Sequence, residues 1–239
     1  MVLQEMEIKR KLKKLLWKHL ISSTRNSVAL QRLQSVLSGM GYVPWTSSAI
    51  SPVAVETMLN DIVINRRSTI VECGGGVSTF CMGRLLKELG REDAHVYTID
   101  DNQAWVDVLR DSLLRYRIEE YVTIIEAPLQ PTDLARSASG TWYSTDALEA
   151  CDGLSAIDLL FVDGPKAGAG PNRLARYPAL PFFVNRLSER CTVVLDDIDR
   201  EGEAEIAAAW SDRFGMDFDY RLLHGSIAIA TRGSAFNYT

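Results

Sequence analysis

The feature that most constrains the fold is an alternation of short apolar runs with amphipathic segments, which begins near residue 69. The apolar runs, each of a length typical of a strand, are STIVEC, HVYTID, YVTIIEA, IDLLFVD and CTVVLDD. The segments with helical periodicity among them are TFCMGRLLKELG, QAWVDVLRDSLLRY and PALPFFVNRLSER. Because strands that are apolar throughout must be covered on both faces, the alternation predicts a parallel sheet between two layers of helices.

The C-terminal part of the chain extends this pattern. An alanine-rich segment at 201–214 predicts a further helix, and FDYRLLHG and SIAIATRG predict two more strands. These two strands are close enough in sequence to pair as a hairpin, so one edge strand of the sheet should run antiparallel. The prediction is therefore an α/β domain with a mostly parallel, seven-stranded sheet over residues 43–239, preceded by a helical extension over residues 1–42.

Three consecutive glycines follow the first predicted strand, in the sequence VECGGGVSTF at residues 71–80. Glycines at such a turn let a ligand approach the main chain, because no Cβ stands in the way. Gly74 and Gly76 match the first two glycines of a dinucleotide-binding fingerprint, but Thr79 stands at the third. The lysine of a phosphate-binding loop is also missing, so the turn by itself does not identify the ligand.

The predicted strands end in acidic residues, and ligands of such sheets bind beyond the carboxyl ends of the strands. These residues are Glu72, Asp100, Asp101, Glu126, Asp163, Asp196 and Asp197. An acidic row without a nearby basic residue in the glycine turn would repel a phosphate. Asp100, at the end of the second strand, suits hydrogen bonds to both hydroxyls of a ribose. The cleft therefore favours a cofactor with a ribose and no phosphate, such as S-adenosylmethionine.

Four motifs occur in a specific order: E-C-G-G-G-V-S-T, Y-T-I-D, F-V-D-G-P and V-L-D-D. In this order they resemble the successive motifs of class I S-adenosylmethionine-dependent methyltransferases, over residues 43–230. The resemblance is closest to bacterial small-molecule methyltransferases, and R-Y-P-A-L at 176–180 is a further match. It implies a Rossmann-like fold whose last strand is antiparallel, and S-adenosyl-L-methionine as the cofactor.

The resemblance also implies which residues bind the cofactor: Glu72, Gly74, Gly76, Ser78, Asp100 and Ala127. In this assignment the glycines approach the methionine portion, with Ser78 near its carboxylate. Asp100 holds the ribose, and Ala127 or Pro128 lies by the adenine. The alternatives are a plain strand–helix turn for the glycines and a helix cap for Asp100.

Asp163, Asp196 and Asp197 end adjacent strands, so their carboxylates should converge. Three close carboxylates repel one another unless a cation joins them, and all-oxygen ligands suit Mg²⁺. A metal ion there would lower the pKa of an acceptor hydroxyl, as in the metal-dependent O-methyltransferases that these motifs resemble. The alternative is a metal-independent O- or N-methyltransferase, in which Asp197 caps a helix and Asp163 orients the acceptor.

Further residues near these motifs are candidates for contact with the acceptor. Lys166 lies three residues after Asp163, where catechol-type enzymes place a lysine base; the alternative is a lysine on a flexible loop. Four more side chains could grip a sugar or an aromatic acceptor, or else pack a lid over the cleft: Trp142, Tyr143, Arg176 and Tyr177. The D/N-P-P-Y motif of enzymes that methylate adenine or glutamine is replaced here by VDGPK, which argues against those acceptors.

The charge distribution bears on the partners. The net charge is −5, but residues 1–25 carry +5, so the remainder carries −10. An acidic body argues against nucleic-acid binding. Residues 3–21 predict a basic amphipathic helix, with a second helix at 27–38. The first helix could pack on the body or on a second subunit, bind an anionic membrane surface weakly, or be disordered; we expect a homo-oligomer.

Neither a transmembrane segment nor a signal peptide is predicted, and the four cysteines are scattered, so we expect a cytoplasmic protein. The sequence as a whole predicts a methyltransferase that acts on a hydroxyl of a small molecule, such as a sugar or a secondary-metabolite building block. A protein that binds the cofactor without turnover is the alternative from a different class.

Overall fold

A computed structural model describes residues 2–136, 140–168 and 170–233 of the chain. The helices in this part are α1 (Val2–Leu37), α2 (Pro52–Ile64), α3 (Val77–Glu88), α4 (Gln103–Tyr116), α5 (Thr145–Glu149), α6 (Ala179–Phe183) and α7 (Glu201–Phe214). The strands are β1 (Thr69–Cys73), β2 (His95–Asp100), β3 (Val122–Glu126), β4 (Leu129–Pro131), β5 (Thr141–Tyr143), β6 (Ile157–Val162), β7 (Leu187–Leu195), β8 (Phe218–Arg221) and β9 (Ile227–Arg232).

The central sheet has seven strands in the order β3-β2-β1-β6-β7-β9-β8. The first five of these are parallel, whereas β9 pairs antiparallel with both β7 and β8. The predicted seven-stranded, mostly parallel α/β sheet with antiparallel pairing at its edge is therefore confirmed, and the antiparallel strand is β9, next to the edge strand β8. The chain builds the sheet outwards from β1 to β3 and then crosses to β6 on the other side of β1. The carboxyl ends of β1 and β6 thus lie at the switch point of the sheet, where such folds bind ligands.

Helices cover both faces of the sheet, as the apolar strands required. On one face, the core includes Met58 of α2, Phe80 of α3 and Leu113 of α4. On the other face, it includes Phe183 of α6 and Trp210 of α7. The sheet is therefore buried on both faces, and its carboxyl-end edge is the place where the chain can present polar groups to a ligand.

The N-terminal region differs from the prediction of two separate helices, because α1 is one continuous helix of 36 residues. The polar residues between the two predicted helices do not end it. Thr24 Oγ1 and Ser27 Oγ donate hydrogen bonds to the carbonyl oxygens of Leu20 and Ser23, one turn earlier, at 2.8 and 3.0 Å. Hydroxyl groups satisfied in this way can remain inside a helix.

The two ends of α1 have different environments. Near its C-terminus, Leu33 and Val36 are buried against α2 and α3, whereas Leu16 and Leu20 are 63% and 57% exposed. The amphipathic helix predicted over residues 3–21 also has Ile8, Leu12 and Leu15 on its apolar face, and these three side chains lie outside the part that the structure describes. Among the described residues, α1 included, no helix combines the length and the apolar character needed to cross a bilayer.

Two further segments differ from the prediction. The helix predicted over PALPFFVNRLSER ends at Phe183, because the chain joins the sheet from Leu187 onwards, where Leu187 pairs with Ile157 of β6. The antiparallel pair formed by β4 and β5 was not predicted. Trp142 and Tyr143 of β5 lie in the hydrophobic core. Each of these strands has three residues, too few to show a periodicity in the sequence.

Candidate active site

A cavity of about 990 Å³ opens at the carboxyl ends of β1, β2, β6 and β7. Its walls come from the glycine turn, from Asp100 to Asn102, from Asp163 to Ala167, and from Arg176, Asp196 and Asp197. The loop that precedes α2 closes one side, with Trp45 and its neighbours, and Asn26 of α1 reaches the same cavity. The cavity therefore contains groups from both sides of the switch point.

The glycine turn after β1 is in contact with the turn after β6. Cys73 O accepts hydrogen bonds from the N–H groups of Asp163 and Gly164, at 2.9 and 2.6 Å. Gly74 has φ +90°, and a Cβ on it would lie 2.9 Å from Gly164 N. Position 74 therefore requires glycine for its conformation and for its space. Gly76, in contrast, has open space where a Cβ would lie and borders the cavity.

Asp100 lies in the cavity wall beside the glycine turn. Its carboxylate accepts hydrogen bonds from Gly75 N at 3.1 Å and from Asn102 N at 3.0 Å. Burial raises the pKa of Asp100, and these backbone hydrogen bonds oppose the rise. The alternative in which Asp100 caps a helix is not what the structure shows, because Asn102 Oδ1 caps α4 by accepting from Trp105 N at 3.2 Å.

Glu72 is fully buried beneath the glycine turn and is not part of the cavity wall. Its carboxylate accepts hydrogen bonds from the hydroxyls of Ser78 and Thr79 and, at 2.8 Å, from Thr98 Oγ1. Burial raises the pKa of Glu72 from 4.5 to about 7, although the three hydroxyls act in the opposite direction. The cofactor contact predicted for Glu72 is thus corrected to a positioning role under the turn. The hydroxyl of Ser78 is likewise directed to Glu72, although Ser78 borders the cavity.

Three other predicted contact residues belong to the packed interior rather than to the cavity wall. Ala127 is fully buried, and its N–H donates to Asp100 O at 2.9 Å. Trp142 is fully buried and packs with Phe182 and Phe183. Tyr177 is also buried: its hydroxyl accepts from Arg213 Nη1 at 3.1 Å. Trp142 and Tyr177 therefore belong to the hydrophobic core, which is neither the predicted contact with the acceptor nor the alternative of a lid over the cleft. Their large aromatic side chains complete the core.

Tyr143, Arg176 and Lys166 do border the cavity, as predicted. Tyr143 is almost completely buried, and a Cβ on Gly164 would lie only 2.2 Å from its hydroxyl oxygen. Lys166 is exposed at the rim. These three side chains therefore surround the turn that carries Asp163.

The carboxylates of Asp163, Asp196 and Asp197 converge as predicted, since one oxygen of each lies within 4.8 Å of the others. The guanidinium of Arg176 lies among them. Its Nη2 is 2.9 Å from Asp163 Oδ1 and 3.0 Å from Asp197 Oδ2, and its Nη1 donates to the main-chain oxygen of Asp196 at 3.3 Å. Asp197 Oδ2 also forms an ion pair with Arg200 Nη1, at 2.7 Å. Asp197 is held by these ion pairs and does not cap α7, whose N-cap residue is Arg200.

Burial dominates the electrostatics of this cluster. It raises the pKa of Asp163, an effect that Arg176 opposes and Asp197 reinforces. It raises the pKa of Asp196 still further above its usual value, and the charges of Asp163 and Asp197 add to the rise. The guanidinium groups of Arg176 and Arg200 thus act against the effect of burial and of the neighbouring carboxylates on these pKa values.

This arrangement bears on the magnesium ion that the resemblance implied. The oxygen chemistry of the three carboxylates suits Mg²⁺. However, the cation that joins these carboxylates can be the guanidinium of Arg176, which forms direct ion pairs with two of them. A divalent cation added to this cluster would lie beside a fixed positive charge and compete for the same carboxylates. The residues as arranged therefore do not fit a resident Mg²⁺.

Several residues of the cavity were not identified from the sequence. Arg200 closely follows the Asp196–Asp197 pair, and this proximity was a signal that could have identified it. Trp105 Nε1 donates to Gly75 O at 2.8 Å and so fixes the glycine turn, but its position in α4 gives no sign of this. Asn26 and the loop around Trp45 are distant in sequence from every motif and could not have been assigned.

The chain is similar to a methyltransferase family in sequence and to known methyltransferases in structure. A family profile described as a methyltransferase domain matches residues 71–198, which is more than half of the chain. No curated protein matches the chain in sequence. The SAH-bound structure of the Podospora anserina methyltransferase PaMTH1 is 12% identical and similar at a TM-score of 0.59, over 86% of this chain and 88% of that one.

Two bacterial structures show a similar relationship. An O-methyltransferase from Bacillus cereus in complex with SAH is 14% identical with a TM-score of 0.54, over 87% of this chain and 91% of that one. TomG of Streptomyces achromogenes, an O-methyltransferase involved in tomaymycin synthesis, was solved with SAM. It is 16% identical with a TM-score of 0.54, over 86% of this chain and 90% of that one. At these identities the likeness establishes the fold.

The buried position of Glu72 leads to a prediction about stability and pH. Its pKa is higher in the folded chain than in the unfolded one, so the folded chain holds an extra proton between pH 4.5 and about 7. This contribution to the free energy of unfolding is complete below pH 4.5 and is lost as the pH rises through 7. The loss amounts to roughly 3 kcal/mol, from about 1.4 kcal/mol per pKa unit. We expect Glu72→Gln to remove this part of the pH dependence.

Urea unfolding of wild type and variant across this pH range measures the difference. Glu149→Gln, which changes a side chain that is 61% exposed, is the matched control and should keep the wild-type slope. Equal slopes for Glu72→Gln and wild type would contradict the prediction.

Proposed function

Because this chain belongs to the methyltransferase domain family and is an S-adenosylmethionine-dependent enzyme, we propose that its acceptor is a hydroxyl group of a small molecule. The observation that carries the proposal is the single cavity that joins Asp100 and the glycine turn to the carboxyl cluster. A cofactor on the glycine turn would have Asp163 as a neighbour, because the turns after β1 and β6 are in contact.

The cofactor half of the cavity suits S-adenosylmethionine. Each carboxylate oxygen of Asp100 accepts one hydrogen bond from the main chain. The remaining lone pairs on the two oxygens are sufficient to accept hydrogen bonds from two ribose hydroxyls. The open space at Gly76 allows the methionine portion to lie against the main chain. The SAM and SAH complexes of proteins with this fold support the same cofactor.

The acceptor half of the cavity suits a hydroxyl. As the methyl group passes from the sulfonium to the acceptor oxygen, the sulfur leaves as a neutral thioether and the hydroxyl must lose its proton. We assign the proton to the carboxylate of Asp163, whose pKa is raised by burial, so it is a stronger base than an ordinary aspartate. Lys166 at the rim is the second candidate for this role. The proposal includes no metal ion, since Arg176 already pairs with the carboxylates.

The ribose assignment gives a prediction for cofactor binding. Asp100→Ala should weaken the binding of S-adenosylhomocysteine by about 1.5–3 kcal/mol, the scale for losing charge-assisted hydrogen bonds. Isothermal titration calorimetry measures the affinity, and a thermal melt confirms that the variant is folded. Asp101→Ala is the matched control, because Asp101 borders the same cavity and follows directly in sequence. Unchanged affinity in Asp100→Ala together with a loss in Asp101→Ala would move the assignment to Asp101.

The acceptor assignment gives a prediction for turnover. Asp163→Asn should lower kcat by about 10²–10⁴-fold, the usual contribution of a positioned base, while the affinity for S-adenosylhomocysteine stays near that of wild type. The assay follows S-adenosylhomocysteine release with a panel of sugars, catechols and other alcohols, beside matched amines. A loss in Lys166→Met but not in Asp163→Asn would transfer the role of base to Lys166.

The acceptor panel also separates the remaining functions. Turnover of amines alone would replace O-methylation by N-methylation. Cofactor binding without turnover of any compound in a broad panel would favour the non-catalytic alternative.

We also propose that the N-terminal part of α1 joins two copies of the chain. Leu16, Trp17 and Leu20 lie on one side of the helix and are 63%, 62% and 57% exposed. Residues 1–25 are basic and the remainder of the chain is acidic, so a second copy offers a surface of complementary charge. A helix that joins two copies would also leave the cofactor cavity of each copy complete.

Deletion of residues 1–22 tests this interface and retains Arg25, whose guanidinium donates to Leu223 O at 3.1 Å. We expect the mass in solution, measured by light scattering, to fall from that of a dimer to that of a monomer. The affinity for S-adenosylhomocysteine should stay the same. An unaltered mass would count against the interface, and vesicle binding that is lost on deletion would favour the membrane alternative.

A further inference from the structure

We propose that Arg176 is the resident cation of the carboxyl cluster, in the place where a divalent metal ion would otherwise be required. For its consequence in catalysis the inference rests on the proposed function, whereas the binding of cations to the cluster can be tested without any acceptor. Arg176 would be a positioning residue: it holds the carboxylate of Asp163 at the point where the acceptor hydroxyl must lose its proton.

The geometry of Arg176 supports this role. The side chain is only 4% exposed, and its guanidinium faces acidic groups from three elements of the fold. Asp163 follows β6, Asp197 follows β7, and Glu203, in the first turn of α7, has Oε1 3.8 Å from Arg176 Nη1. A planar guanidinium with five N–H donors can serve several carboxylates at once, whereas a lysine ammonium offers a single compact charge.

The balance of charges in the cluster also supports Arg176 as its resident cation. A second guanidinium, that of Arg200, pairs with Asp197 and lies 3.7 Å from Glu203 Oε1. The cluster therefore has two arginines and four carboxyl groups, those of Asp163, Asp196, Asp197 and Glu203. Removal of the buried arginine would leave several carboxylates without a counterion, and a hard divalent cation is the ligand that such an oxygen cluster selects.

A substitution of Arg176 should therefore create a metal site that the wild-type chain lacks. The test uses the full-length wild type, Arg176→Gln, which removes the charge, and Arg176→Lys, which keeps it. Mn²⁺ is the probe, and electron paramagnetic resonance measures the free ion. We expect wild type and Arg176→Lys to show no saturable binding up to about 1 mM Mn²⁺, and Arg176→Gln to bind about one ion per chain.

Two further measurements give independent readouts. Mg²⁺ should raise the Tm of Arg176→Gln but not that of wild type, because only a folded state that binds the ion is stabilised by it. Once an acceptor is known, EDTA should leave wild-type turnover unchanged. Arg176→Gln should be slow and should regain part of its rate with Mg²⁺, which a merely structural role for Arg176 would not produce.

Several outcomes would overturn the inference. Saturable Mn²⁺ binding by wild type that is abolished in Asp196→Asn would do so, and this comparison remains decisive even if Arg176→Gln does not fold. A folded Arg176→Gln that binds no Mn²⁺ would also overturn it. If no acceptor in the panel is methylated, the proposed function fails, but the Mn²⁺ measurements still decide whether Arg176 is the resident cation.

Discussion

The candidate active site depends on one interaction, the ion pairing of a buried guanidinium with the acidic ends of neighbouring strands. A parallel sheet brings the carboxyl ends of its strands to one edge, so Asp163 after β6 and Asp196 and Asp197 after β7 must lie close together. When carboxylates are buried so close together, they repel one another and lose their hydration. Arg176, which joins two of them by direct ion pairs, makes this arrangement compatible with a folded chain.

A second constraint is the absence of side-chain atoms where two turns meet. Because β1 and β6 are adjacent in the sheet, the glycine turn after β1 and the turn that carries Asp163 lie against each other. A Cβ on Gly74 or on Gly164 would intrude on the other glycine, at 2.9 and 2.8 Å. The glycine turn and the turn that carries Asp163 are therefore a single packed unit, although the two motifs are far apart in the sequence. A change in either turn would be transmitted directly to the other.

The sequence was sufficient for features that follow from local patterns. Apolar runs identified the strands of the main sheet, and the shared edge of parallel strands placed the three aspartates together. The continuity of α1 was missed because hydroxyl groups such as that of Thr24 can bond within a helix, as well as end one. The burial of Trp142 and Tyr177 depends on which distant elements pack over them. The role of Arg176 could not be assigned either, because no periodicity places a charged residue of a loop among partners from β6, β7 and α7.

An arginine and a metal ion differ in what they offer an acceptor. A magnesium ion has open positions at which an acceptor oxygen binds, and it lowers the pKa of a hydroxyl by direct coordination. A guanidinium has no equivalent position. The Nη groups of Arg176 already face Asp163, Asp197 and Asp196 O, and its Nε is buried, so Arg176 can act only by holding Asp163. If Arg176 is the resident cation, the acceptor does not need two adjacent hydroxyls to chelate a metal. It needs one hydroxyl that reaches Asp163, and the more acidic that hydroxyl is, the less the carboxylate has to contribute.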